Sequence, residues 1–182
     1  MKKSVFCFLF CGIAAVSFVS CTKSSTLKTS YDEKSYVEIC GLKWTTKNVG
    51  ATEDNPYGNY YTYEQALGAC PDGWRLPTSD ELWLLSLLHS GPTIYDGMNG
   101  IWFSGSTPYK DDVDAVFFPM AGYDWGSGKE TIDTGGSYWS STVDRRGYYA
   151  YLLCFGISED GLAVVMGFDN GSIECSVRCV KD

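Results

Sequence analysis

The 182-residue sequence contains a single histidine, His89, and no pair of cysteines in a Cys-x-x-Cys arrangement. A Ser-His-Asp or Cys-His catalytic centre needs a histidine base. His89 follows a leucine-rich segment, a position that suits the C-terminus of a helix better than a catalytic site. A zinc site would need several thiol, imidazole or carboxylate ligands close together. The composition therefore predicts a protein that is not an enzyme and that holds no metal or cofactor.

Basic residues are also scarce, with 14 Lys and Arg against 22 Asp and Glu and a formal net charge of −8. Removal of residues 1–20 would take away Lys2 and Lys3 but no acidic residue, which leaves a net charge of −10. Nucleic acids and anionic lipids attract basic surfaces, so we expect neither as a partner. With 45% hydrophobic and 15% aromatic residues, the body of the chain is expected to fold.

One long hydrophobic run stands at the N-terminus, over residues 4–19, behind Lys2 and Lys3. It is short for a membrane-spanning helix, which needs about 20 apolar residues, and is typical of a secretory signal peptide. We predict a signal peptide over residues 1–20.

The end of this run, Val19-Ser20-Cys21, resembles the processing site of bacterial lipoproteins, where the cysteine is lipidated. The alternative is ordinary cleavage that leaves Cys21 as a plain thiol. We predict lipidation of Cys21, a polar tether over 21–35 and one domain over 36–182. Acyl chains would hold the protein to the outer membrane without spanning it, on either the cell surface or the periplasmic face.

The local pattern around Cys70-Pro71-Asp72-Gly73 predicts two short helices with a tight turn between them. The first has one apolar face, formed by Tyr63, Ala66, Leu67 and Cys70. Proline cannot continue it. The second starts at the capping box of Thr78 and Glu81, is mostly buried, and ends near residues 89–92.

Strand patterns flank the two predicted helices. Residues 36–44 are predicted to form one strand, and residues 91–136 a long irregular region rich in glycine and aromatic residues. The last part of the chain predicts a three-stranded antiparallel meander over 148–157, 162–168 and 172–181, with turns at 158–161 and 169–171.

Several of these segments resemble one known family, the Fibrobacter succinogenes major paralogous domain, which is common in secreted and lipid-anchored proteins of Bacteroidetes-type bacteria. The matching segments are YYTYEQA (60–66), ACPDGWRLP (69–77), PMAGY (119–123), GSYWSST (136–142) and SVRCVKD (176–182). The resemblance covers the chain from about Val37 to its end and implies an α+β, C-type-lectin-like fold. In that fold two helices flank a small twisted antiparallel sheet, and a long irregular loop region forms the binding face.

The resemblance also implies a disulfide between Cys70, at the end of the first helix, and Cys179 in the final strand. Cysteines of exported proteins usually pair, and beyond Cys21 five remain, so at most two bridges can form. A second bridge between Cys154 and Cys175 could close across the meander, and Cys40 with Cys175 is its rival.

The triplets by which C-type lectins bind sugar through calcium, Glu-Pro-Asn or Gln-Pro-Asp and Trp-Asn-Asp, do not occur in the sequence. The irregular region contains three aspartates, Asp111, Asp112 and Asp114. Their spacing matches no known calcium-binding loop, so we interpret them as a solvated acidic segment. We therefore expect no metal site.

Ligand-binding candidates are Tyr123, Asp124 and Trp125, because aromatic planes beside polar groups suit sugar rings or protein partners. Tyr123 and Trp102 are expected to fill the core, whereas the glycines around Trp125 leave it few neighbours. Arg145, at a turn, is a further candidate for an acidic partner.

These observations together predict a cell-envelope lipoprotein with a C-type-lectin-like module for adhesion or for glycan or matrix recognition. The alternative is a structural or assembly-partner lipoprotein that packs on an envelope or surface protein. A third hypothesis is an enzyme similar to the formylglycine-generating enzymes. Such an enzyme would need free thiols at Cys175 and Cys179, and the sequence lacks the wider motif pattern of those enzymes.

Overall fold

The computed structural model describes residues 6–7, 19–20, 36–105 and 115–182. Strands make up 48% of the structure and helices 9%. The helices are α1 (Tyr63–Ala66) and α2 (Ser79–Ser86). The strands are β1 (Phe6–Cys7), β2 (Val19–Ser20), β3 (Tyr36–Ile39), β4 (Leu42–Thr45), β5 (His89–Tyr95), β6 (Met98–Ser104), β7 (Ala115–Pro119), β8 (Tyr123–Asp124), β9 (Lys129–Glu130), β10 (Gly135–Val143), β11 (Ala150–Ser158), β12 (Gly161–Asp169) and β13 (Val180–Lys181).

The predicted α+β, C-type-lectin-like fold is wrong. The described residues from 36 onward are mostly β-structure, arranged in four small antiparallel sheets rather than one sheet flanked by two helices. The sheets have the orders β13-β4-β3, β5-β6-β7, β8-β9 and β10-β11-β12, and β1 pairs with β2 separately.

Helix α1 is one turn long, so the prediction of a helix that reaches Cys70 is wrong. Thr62 caps it, with Gln65 completing a capping box. The chain then tightens, because the amides of Gly68 and Ala69 bond to carbonyls three residues back, at 3.2 Å each. Such short-range bonds end an α-helix.

Helix α2 begins where the sequence predicted. The Thr78 hydroxyl accepts a hydrogen bond from the Glu81 amide at 3.2 Å, and the Glu81 carboxylate accepts one from the Thr78 amide at 2.7 Å. The helix ends at Ser86, before the predicted boundary. Its burial is one-sided, since Leu82 and Leu85 are buried while Trp83 and Leu87 are exposed.

The region predicted to be irregular, 91–136, instead contributes to six strands, β5–β10. All five residues of β7 are buried. A strand covered on both faces loses the alternation of apolar and polar residues that identifies a half-buried strand. The sequence pattern therefore could not predict β7. Similarly, residues 36–44 form the β3–β4 hairpin, with Cys40 and Gly41 at positive φ in its turn.

Strands β11 and β12 form the predicted hairpin, with a register that runs unbroken from Ala150↔Asp169 to Ser158↔Gly161. The third strand of that sheet is β10, on the other side of β11, so the prediction of 172–181 as its third strand is wrong. Those residues instead cross the core, and their last strand, β13, pairs with β4.

The disulfide between Cys70 and Cys179 is confirmed, with Cα atoms 5.9 Å apart and 109 positions between the two residues. Next to it, Arg178 is 1% exposed. Its guanidinium donates to Asn48 Oδ1 at 2.7 and 3.1 Å and to the Thr45 carbonyl at 2.7 Å, and it lies 4.6 Å from the Phe118 ring centroid. The C-terminal segment is therefore fixed to the N-terminal hairpin and to the turn that follows α1.

Candidate functional site

The described residues form a groove with a cavity volume of about 700 Å³, within the 300–1,000 Å³ range of small-ligand sites. It lies between the turn before α1, the start and end of α1, and the β8–β9 hairpin. Its lining residues are Asn55, Gly58, Asn59, Tyr60, Tyr61, Gln65, Gly68, Ala69, Asp124, Lys129 and Glu174. We call it the α1–β8 groove.

Backbone bonds to the C-terminal segment hold one wall of the groove. Tyr61 and Cys175 exchange both of their backbone hydrogen bonds at 3.0 Å. Tyr60, one residue earlier, points the other way along the strand-like backbone, and its hydroxyl donates to the Ala121 carbonyl. The backbone next to Tyr60 is bonded to Cys175 and the Tyr60 hydroxyl is bonded to Ala121. The ring between them is therefore a fixed aromatic surface.

The opposite wall carries two carboxylates. Asp124 and Glu174 exchange both backbone hydrogen bonds, at 2.9 and 2.8 Å, in an isolated antiparallel bridge. Residues directly opposite in such a pair project to the same side. Asp124 Oδ1 also accepts from the amides of Gly126 at 2.6 Å and Gly128 at 3.2 Å, which fixes the orientation of that carboxylate.

Lys129 links the two walls. It pairs with Asp124 across the β8–β9 hairpin, and its ammonium lies 4.9 Å from the Tyr60 ring centroid, within cation–π range. Burial, followed by the Asp124 charge, raises the pKa of Tyr60 to about 12. The Tyr60 hydroxyl therefore stays neutral at pH values where an ordinary tyrosine, with a pKa of 10.0, ionises.

This arrangement presents hydroxyl, amide, carboxylate and ammonium groups around one aromatic ring. Amide side chains come from Asn55, Asn59 and Gln65. Such a set can donate to and accept from several hydroxyl groups at once, while the ring offers an apolar face. The groove is chemically suited to a polyhydroxylated ligand.

The predicted ligand-binding residues divide between two places. Asp124 lines the groove. Tyr123 and Trp125 flank it in sequence and make an edge-to-face contact with centroids 5.8 Å apart. Trp125 is 49% exposed, and Tyr123 is partly buried and packs against a core cluster that includes Trp139 and Cys175. Arg145 does not line the groove and lies in the exposed β10–β11 loop.

Sequence reasoning missed Tyr60, Lys129 and Glu174. They come from three distant segments and are joined by the Tyr61–Cys175 and Asp124–Glu174 bridges. Isolated bridges of single residues leave no periodic signal in a sequence. The one signal in the sequence was that Tyr60 belongs to the YYTYEQA segment (60–66), which resembles the family. That resemblance did not indicate where the Tyr60 side chain points.

Cys154 and Cys175 keep unbridged thiols, so the second predicted disulfide is not formed in the structure. Burial raises the pKa of both thiols, which makes them weak nucleophiles. Cys179 is bridged to Cys70, and the pair of free thiols required by the formylglycine-type reading is therefore not present.

Among the described residues, no three histidine, cysteine or acidic side chains are grouped so as to hold a metal ion. No helix in the same residues is long and apolar enough to cross a membrane. The predicted lipidation site Cys21, its tether and the acidic segment with Asp111, Asp112 and Asp114 lie outside the described residues.

Comparison of the chain with protein-family models, curated proteins and solved structures found no match. The resemblance to the Fibrobacter succinogenes major paralogous domain consequently stays a prediction that rests on its motif segments.

Proposed function

We propose that this protein is a lipid-anchored envelope protein whose domain binds a glycan, or the glycan part of a matrix component, in the α1–β8 groove. The observation that carries this proposal is the Tyr60 ring held among amides, two carboxylates and one ammonium in a cavity of about 700 Å³. Sugars present hydroxyl groups along their edges and C–H groups on their faces, and these two features match the polar lining and the ring.

The cellular setting of the proposal comes from the sequence. A signal peptide over residues 1–20 and lipidation at Cys21 would place the domain at the outer membrane, on the cell surface or the periplasmic face. The net charge of −8 favours neutral partners over nucleic acid or anionic lipid. The proposed activity is glycan binding, without catalysis.

The test is binding of the full-length protein to a glycan array, with calcium and with a chelator. We expect binding that the chelator leaves unchanged, because the groove has its own charged and amide groups. Replacing Tyr60 by Ala removes the ring and should abolish the signal. Replacing Tyr60 by Phe keeps the ring and should retain most of it.

A matched pair of tryptophans tests the groove rim. Trp125 and Trp83 are each 49% exposed, but Trp125 is next to the groove residue Asp124, whereas Trp83 is on α2. Trp125→Ala should weaken glycan binding and Trp83→Ala should not. A blank array from folded protein, or equal losses in the two tryptophan variants, would overturn the proposal.

A further inference from the structure

Strand β12 forms an open sheet edge. It is the outer strand of the sheet β10-β11-β12, and no described strand pairs with its free side. Its nine residues pair with β11 without a bulge, and residues 161–168 contain neither a charged residue nor a proline. Natural proteins usually protect such an edge with lysine, proline or a bulge, so this edge is suited to pairing with another strand.

The exposed side chains of β12 are apolar. Val165 is 54% exposed and Phe168 is 66% exposed. At the Phe168 end, the Tyr149 ring from the β10–β11 loop makes an edge-to-face contact with Phe168, with centroids 5.3 Å apart. Because successive side chains of a strand alternate between the two faces, Val165 and Phe168 project to opposite faces, and each face beside the free edge presents an exposed apolar group, as interaction surfaces do.

The two ends of β12 differ in charge: at the Phe168 end two arginines offset Asp144 and Asp169, whereas the other end carries two acidic residues and no basic one. Beside the Phe168 end are Arg145 and Arg146, exposed in the β10–β11 loop. At the other end, Glu159 and Asp160 form the exposed turn between β11 and β12. Within the part of the chain that the structure describes, neither arginine forms an ion pair.

The loop that carries the arginines is firmly shaped. Asp144 Oδ1 accepts hydrogen bonds from the amides of Tyr148 at 2.7 Å and Tyr149 at 3.0 Å, and the Asp144 amide donates to the Tyr149 carbonyl at 2.8 Å. The bonds that the carboxylate accepts from Tyr149 and Tyr148 also lower the pKa of Asp144. Pre-shaped loops lose little entropy when they bind, so the loop is prepared to present its arginines.

We infer that β12 pairs with β12 of a second copy of this chain, antiparallel and centred on Val165, to form a two-fold dimer with a continuous six-stranded sheet. The register is self-complementary. Its cross-strand pairs would be Leu162 with Phe168, Ala163 with Gly167, Val164 with Met166, and Val165 with its own counterpart. Every one of these pairs is apolar, and apolar cross-strand pairs stabilise an antiparallel ladder.

Charge selects this partner. Antiparallel pairing brings the arginine end of one copy to the Glu159–Asp160 end of the other, and the two-fold axis repeats the match. The β10–β11 loop of one copy and the β11–β12 turn of the other would be about three strand spacings apart, roughly 14 Å between their backbones, and the extended arginine and acidic side chains would cover most of that distance. Asp169 would face Gly161 of the second copy, so no like charges stand directly opposite.

The test is cysteine cross-linking in the full-length protein. Cys154 is opposite Val165 on the neighbouring strand and would capture a new thiol there, so the parent protein carries Cys154→Ala. Val165→Cys in that parent should give a disulfide-linked dimer on mild oxidation. Ala163→Cys should not, because its counterpart would be about 14 Å along the strand at 3.4 Å per residue, beyond disulfide reach.

Charge reversal tests the orientation. Arg145→Glu with Arg146→Glu should lower the dimer yield of the Val165→Cys protein about fivefold or more through like-charge repulsion at the rim. Adding Glu159→Lys and Asp160→Lys should restore it. Equal cross-linking at positions 163 and 165, no cross-linking at 165, or failure of the second pair of substitutions to restore the yield would each overturn the proposal.

Discussion

The α1–β8 groove and the free edge of β12 are built in opposite ways. The groove collects side chains from segments more than 100 positions apart, as the Tyr61–Cys175 bridge illustrates. The edge belongs to one hairpin whose pairs run without interruption from residue 150 to 169. A surface of the first kind depends on distant tertiary links, whereas a surface of the second kind depends on local pairing. The two should therefore respond differently to the same perturbation.

Loss of the disulfide should have the largest effect. A bridge across 109 positions stabilises by about 4–5 kcal/mol through the chain entropy of the unfolded state. Cys70→Ser with Cys179→Ser should lower the free energy of unfolding by a comparable amount in urea titrations. The matched control is Cys154→Ala, which removes an unbridged thiol and should cost about 1 kcal/mol or less.

If the disulfide variant remains folded, it separates the groove from the β12 edge. The groove should lose ligand affinity, because its wall is held by the C-terminal segment next to Cys179, while β12-mediated cross-linking should persist. An unchanged unfolding midpoint in the double-serine protein would contradict this account of the link.

Replacing the buried arginine should have the next largest effect. Arg178→Met keeps the bulk over Phe118 but leaves Asn48 Oδ1 and the Thr45 carbonyl without their donors. Unsatisfied buried acceptors each cost about 1–3 kcal/mol, so we expect a loss of about 3 kcal/mol in the free energy of unfolding.

The control for that substitution is Arg75→Met. The Arg75 side chain is 41% exposed and pairs with Glu81 and Asp182. Exposed ion pairs contribute about 0–1 kcal/mol, so the loss should be small. A larger loss for Arg75 than for Arg178 would show that the C-terminal segment is not the anchor.

Changes inside the groove should alter binding more than stability. Lys129 is exposed, and its ammonium stands over the Tyr60 ring. Lys129→Ala removes a hydrogen-bond donor and should weaken glycan binding about tenfold, which corresponds to about 1.4 kcal/mol. Solution affinity for a glycan that scores on the array provides the measurement.

Lys43→Ala is the matched control, since the Lys43 ammonium lies 5.7 Å from the Tyr36 ring in a similar cation–π contact but outside the groove. Its affinity should equal that of the unsubstituted protein. A tenfold loss in both variants would mean that net charge, rather than the groove, governs binding.

The smallest effect concerns alkaline pH. Burial is the largest cause that raises the pKa of both Tyr60 and Tyr57 to about 12 from the ordinary value of 10.0. The unfolded chain releases these protons near pH 10, while the folded chain retains them to about pH 12. Stability from this source is therefore complete below pH 10 and is lost as the pH rises from 10 to 12.

Spectrophotometric titration of tyrosinate can measure this difference. Tyr60→Phe should remove one late-titrating group and make the stability curve flatter between pH 10 and 12. A titration in which Tyr60→Phe deletes a group that ionises near pH 10 would show that the Tyr60 hydroxyl is not held in the groove wall.

Signals that depend on neighbouring residues were readable in the sequence. The capping box at Thr78 and the Glu159–Asp160 turn are both formed by contacts within a few positions, and both are present as predicted. The Cys70–Cys179 disulfide, implied by the family resemblance, also proved right. It required similarity to other chains, because spacing alone does not determine which cysteines pair.

Predictions failed where tertiary burial overrides local pattern. The five consecutive buried residues of β7 show no alternation, and the helical spacing around Ala66 supported a single turn. Asp124 was identified from its aromatic surroundings, but Tyr60, Lys129 and Glu174 come together through bridges between distant segments. The shape of the groove could not be deduced without those contacts.

The most direct test of this account is the solution affinity of one array-identified glycan for three full-length proteins: the unsubstituted chain, Tyr60→Ala, and the Arg145→Glu, Arg146→Glu double variant. Solution measurement avoids the gain in apparent affinity that a dimer obtains on a dense surface. We expect a loss of about tenfold or more for Tyr60→Ala and an unchanged affinity for the double variant. Equal losses in both variants, or a loss confined to the arginine variant, would contradict the separation of a groove that binds glycan from an edge that pairs two copies.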